Sequence, residues 1–124
     1  MGKVDWLDQP EDHDFDAAAS YLSLLAGQEQ IAVIIAAMQR GQVGQHQVKD
    51  LLRASGLPLL AKDNVHVADD LGKIGKGRKL SPILLVRGNF TAGYPLQIAD
   101  GYHRVCASYH TDENTAVPGI IVDG

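Results

Sequence analysis

The sequence predicts an α/β domain: a small mixed sheet formed by the second half of the chain, with several helices packed around it. Three observations predict it. Pro82-Ile83-Leu84-Leu85-Val86 is a continuous apolar run bounded by Ser81-Pro82 and Arg87-Gly88-Asn89, which is how a buried strand reads. A turn-rich stretch (Gly88, Asn89, Gly93, Pro95) then leads into Leu96-Gln97-Ile98-Ala99, whose alternation is that of a neighbouring strand. Asp100-Gly101 breaks the extended chain. Tyr102 to His110 carries no breaker and sets Val105, Cys106 and Tyr109 on one helical face.

The first half reads as helical. Residues 5 to 16 are acidic, with Asp5, Asp8, Glu11, Asp12, Asp14 and Asp16 around His13. The expected form is a solvated arm anchored by Trp6, Leu7 and Phe15. A carboxylate–imidazole metal site is the second reading. The third is an acidic arm that folds over a basic turn and competes internally for anions. Asp16 is the expected N-cap of a helix over 17–25 that ends before Gly27. Gln28 to Arg40 follows, with Ile31, Ile34, Ile35 and Met38 on its core face, and stops at Gly41. His46 to Ser55 is expected as a third helix, with Val48, Leu51 and Leu52 inward and Gly56 and Pro58 beyond its end. A helix-turn-helix built from the second and third helices is not expected, because their linker carries two glycines and neither helix is basic. Asp63 or Asn64 caps a fourth helix running to about Ile74, after which Lys73, Lys76, Arg78 and Lys79 cluster among Gly72, Gly75 and Gly77. That spacing is not a phosphate-binding P-loop.

A chain of 124 residues and 13.3 kDa fits one domain with a real core. The formal net charge of −4 argues against a nucleic-acid binder held by bulk electrostatics. A single cysteine allows no internal disulfide and suits a reducing cytoplasm; Cys106 reads as a small core residue. The first residues are charged where a leader would be apolar, and Gln30 to Met38 is too short to span a bilayer. A cytoplasmic location is the expectation.

The chemistry concentrates at Ala99-Asp100-Gly101-Tyr102-His103-Arg104. The first N–H groups of a helix lack intrahelical partners, and that end carries roughly half a positive charge. A glycine lets an anion approach the backbone, and a guanidinium can grip phosphate oxygens bidentately. His103 and Arg104 in a first helical turn oppose the helix dipole unless an anion compensates them, and an arginine here has few structural reasons to exist.

These residues resemble the ParB/sulfiredoxin-like fold, also called the ParB-like nuclease domain. The pieces are Leu71, Ile74 and Gly77, then Leu80-Ser81-Pro82-Ile83-Leu84-Leu85-Val86. They continue as Leu96 to Arg104 and close with Val117-Pro118-Gly119-Ile120-Ile121-Val122, the last as a strand. The resemblance covers roughly the second half of the chain. It implies a single ParB/sulfiredoxin-like domain over 1–124, with a helical part at 1–60 and the core anion-binding motif at 61–124. It also implies phosphate or nucleotide binding at Gly101, Tyr102, His103 and Arg104, with Lys73 or Lys76 reaching the phosphates. Sulfiredoxins place a reactive cysteine directly before the His-Arg pair; Tyr102 stands there, so sulfinate reduction is not expected. Partition-type relatives continue into a DNA-binding helix-turn-helix, for which no room follows before Gly124. A free-serine kinase of this fold carries a similar Asp-Gly-x-His-Arg turn, which keeps phosphotransfer in view.

Asp100 then has two readings of equal standing: a helix cap bonded to Arg104 or Tyr102, or a general base or ligand of a nucleotide's magnesium. His103 is a phosphate donor or proton-transfer group, or an ordered structural histidine. Asp100 and His103 are the expected catalytic pair. Mg²⁺ arriving with a nucleotide is the implied cofactor, and no metal cluster of the protein's own is expected. The leading expectation is a nucleotide switch, small phosphotransferase or hydrolase. The alternative is a non-enzymatic DNA-associated or protein-interaction module in which Arg104 meets a phosphate or a partner's carboxylate.

Overall fold

The computed structural model describes residues 3–124. Its elements are α1 (Asp12–Leu22), α2 (Gln28–Arg40), β1 (Gly44–Gln47), α3 (Val48–Ser55), α4 (Val65–Gly75), β2 (Ile83–Val86), β3 (Gln97–Asp100), α5 (Tyr102–Thr111) and β4 (Ala116–Val122). The sheet runs β1-β4-β2-β3. β2 pairs antiparallel with β3 and parallel with β4, while β1 pairs antiparallel with β4, so the sheet is mixed.

The apolar run at 83–86 becomes a central strand buried on both faces. Ile83 and Leu85 point into one core with Val48, Val67, Ile98, Val105 and Val117. Leu84 and Val86 point into the other with Leu22, Ile34, Met38, Ala99 and Ile120. Strand alternation alone makes this division. Helices α1 and α2 therefore cover one face and α3, α4 and α5 the other, giving three layers. An interior strand with no polar side chain needs cover on both faces.

Two helix starts differ from the sequence expectation. Helix α1 starts at Asp12 with Glu11 as N-cap; Asp16 is an exposed mid-helix residue. The Glu11 N–H donates to Asp14 Oδ2 at 2.8 Å, so the acidic stretch ends in a capping contact. His46 and Gln47 lie in β1 and the third helix starts at Val48, whose N–H donates to the Thr115 carbonyl at 2.9 Å. Pairing with β4 outweighs the weak helical pattern of Gln45-His46-Gln47, and it places a strand from the helical first half in the sheet. A strand between α2 and α3 also removes any helix-turn-helix.

Of the two residues expected to cap α4, Asn64 does so, its Oδ1 accepting from His66 N–H at 3.0 Å and Val67 N–H at 3.2 Å. The N-terminal arm is pinned beside β2. Leu80 N–H donates to the Asp5 carbonyl at 2.9 Å, and Leu7 N–H donates to the Leu80 carbonyl at 2.8 Å. Cys106 is fully buried, and burial raises its thiol pKa, as fits a core residue. Among the described residues no helix is long and apolar enough to cross a membrane.

Candidate functional site

Chain reversal between β3 and α5 creates the site. Gly101 sits there at φ +112°, ψ 17°, a conformation that a Cβ makes costly. A Cβ would also fall 2.9 Å from Ile83 Cβ and nearer still to its Cγ2. The glycine is therefore demanded by backbone angle and by the core residue beneath it, a different reason from the anion approach expected of it. It brings no side chain to cap α5, so that helix starts without a side-chain cap.

Arg104 overturns the expectation that it lacks structural work. Its Nη1 donates to the Ser81 carbonyl at 2.9 Å and to Ser81 Oγ, and its Nη2 donates to Asp100 Oδ2. Asp14 Oδ1, carried in by α1, lies 3.7 Å from Nη1. The side chains of Arg104, Asp100 and Asp14 are 12%, 15% and 5% exposed. One guanidinium thus holds two nearly buried carboxylates, and the mismatch with the helix dipole is compensated from within. Of the three readings of the acidic arm, the structure places Asp14 of that arm against the basic turn.

A cleft of about 430 Å³ opens over this network. Helix α4 lends it His66, Asp69, Asp70 and Lys73, and Lys79 joins from the following loop. The turn contributes Asp100, Gly101, His103 and Arg104, while Glu11, His13 and Asp14 close the far side. Two predicted ligands lie elsewhere. Lys76 is exposed outside the cleft and Lys79 takes its place; the Tyr102 hydroxyl donates to the Pro58 carbonyl, away from the cleft.

Burial sets the electrostatics here. Asp100 has its carboxyl pKa raised, chiefly by burial, with Asp14 adding to the rise and Arg104 opposing it. Burial likewise raises Asp70, against the pull of Lys73, whose Nζ is 3.8 Å away. His103 is shifted down by burial and by the neighbouring His66, whose ring centroid is 4.8 Å from its own. At neutral pH its imidazole is therefore uncharged, able to accept a proton or to donate one hydrogen bond. No group of three His, Cys, Asp or Glu side chains among the described residues is placed to hold a metal ion.

The third reading of the acidic arm brought it to the basic turn without singling out Asp14, and Ser81 as a partner of Arg104 was missed. Glu11-x-x-Asp14 has the spacing of a capping box and could have placed Asp14 in a first helical turn. Nothing local marks Ser81.

No protein-family model matches this chain, and neither a curated protein nor a solved structure matches it.

Proposed function

We propose that the cleft binds a phosphate-bearing ligand, a nucleotide in the first instance, at the β3–α5 turn, as members of the ParB/sulfiredoxin-like fold do. One observation carries this reading: the side-chain-uncapped N-terminus of α5 opens into a cleft that also receives Lys73, Lys79, His103 and Arg104. Free N–H groups at a helix start and convergent cations suit phosphate oxygens.

The five carboxylates lining the cleft outnumber its two lysines and one arginine. That balance disfavours a bare polyanion such as DNA and suits a phosphate accompanied by a divalent cation. Mg²⁺ commonly keeps several waters and takes one or two protein carboxylates plus substrate phosphates, so a preformed cage is unnecessary. Asp70 and Asp69 fit that part, because Asp100 is engaged by Arg104. When bound, the ion would neutralise phosphate charge. The residues' own work is then separable. The α5 amides and lysines orient the phosphates, and neutral His103 takes the proton of an attacking hydroxyl or water. This supports phosphoryl transfer or hydrolysis ahead of a passive switch.

The test is calorimetry and thermal shift with ATP, CTP, GTP, ADP and inorganic phosphate, with and without magnesium, on wild type and the Lys73→Ala/Lys79→Ala double variant. Both lysines are solvent-exposed, so the variant should fold normally. A ligand at a hundredfold excess over Kd stabilises the fold by about 2.7 kcal/mol. A nucleotide shift in wild type that falls at least tenfold in affinity in the variant is expected. No binding across the panel would sink the reading. For a binding nucleotide, His103→Gln should then lose turnover while keeping affinity.

A further inference from the structure

Asp14 belongs to no part of the β3–α5 turn; it is delivered by a separate helix. Its side chain is 5% exposed, and each oxygen is engaged. Oδ2 accepts the Glu11 N–H at 2.8 Å, while Oδ1 lies 3.7 Å from Arg104 Nη1 and 3.5 Å from His13 Nε2. Arg104 also donates to Asp100 and Ser81, so the guanidinium that lines the cleft faces two carboxylates. An anion reaching Arg104 competes with both for the same positive charge. Asp100 ends β3, four residues before Arg104 on the same turn, and makes the shorter contact. Asp14 makes the longer one and comes from a different element, so it is the carboxylate that yields.

We propose that Asp14 is an internal competitor for Arg104 and thereby determines which anions occupy the turn. A small anion that grips Arg104 alone does not displace it. A nucleotide polyphosphate, held also by Lys73, Lys79 and the α5 amides, does. The inference rests on the reading that this cleft binds phosphates, and it adds the selection rule. It also couples the site to the arm: moving Asp14 breaks the Glu11 N–H contact that starts α1.

Asp14→Asn tests this, because it removes the charge and keeps size and an acceptor for the Glu11 N–H. Inorganic phosphate and ATP are titrated calorimetrically into the whole chain. Phosphate should bind Asp14→Asn at least tenfold more tightly than wild type, and Asp14→Asn/Arg104→Gln should lose the gain. Unchanged or weaker phosphate binding in folded Asp14→Asn overturns the proposal. Should that variant fail to fold, hydrogen exchange on wild type decides. Amides of the first turn of α1 should exchange at least tenfold faster with ATP bound, and unchanged or slower exchange overturns the proposal. Wild type that binds ATP while Asp14→Asn gains nothing for phosphate defeats this inference and leaves the site reading standing. Wild type that binds neither ATP nor phosphate defeats both, whether or not the variant binds.

Discussion

Replacing Arg104 with alanine removes the one cation between Asp14 and Asp100 while leaving both carboxylates nearly buried. At an effective dielectric of about 20, opposite charges 3.7 Å apart attract by roughly 4 kcal/mol. Burying the charges offsets part of that, but removing a single partner of a buried pair typically costs about 3–5 kcal/mol. The Ser81 hydroxyl and carbonyl lose their donor as well. A loss of about 4 kcal/mol is expected. For 124 residues that corresponds to roughly 15 °C in Tm.

Its pH dependence separates this cause from lost packing. The Asp100 carboxyl already titrates above its ordinary value of 3.8. A carboxyl whose folded pKa lies above the unfolded one costs stability as pH rises from the unfolded value through the folded one. Arg104 opposes that rise, so its removal enlarges the penalty at neutral pH and has little effect near pH 4. Urea unfolding of wild type and Arg104→Ala at pH 7 and pH 4 should show the deficit shrinking by at least half in acid. A deficit below about 1 kcal/mol at pH 7, or one equal at both pH values, would refute the account of Arg104 as the compensating charge.

Two more outcomes follow from the turn. Gly101→Ala should cost about 3 kcal/mol, from positive φ and overlap with Ile83, and thermal melting should fall by roughly 10 °C; a Tm within 3 °C of wild type would contradict that packing. His103 should titrate by NMR below its ordinary 6.5, and His66→Ala should move the midpoint upward. Because the fold resists protonating this ring, its contribution to stability is complete above 6.5 and is lost as pH falls through the folded midpoint. A midpoint at or above 6.5 would remove the case for His103 as a neutral proton acceptor.

What could be read without coordinates was local. The apolar run at 83–86 announced a strand with both faces buried, Asn64 announced a helix start, and Asp100-Gly101 announced the reversal into α5. Each depends on backbone preference or periodicity over a few residues, and sequence neighbours alone determine those. The α/β class followed from them. Tertiary structure decided the rest. Gly44–Gln47 has no strand pattern and becomes β1 only because β4 offers its edge. Lys79 rather than Lys76 reaches the cleft because of where the chain leaves α4. Above all, Arg104 is held by Asp14, from a helix at the opposite end of the chain, and by Ser81 beside β2. A long-range ion pair in a partly desolvated cleft leaves no periodicity behind it, so the sequence alone could nominate the arginine, its near partner Asp100 and the acidic arm, but could not single out Asp14 as the second carboxylate.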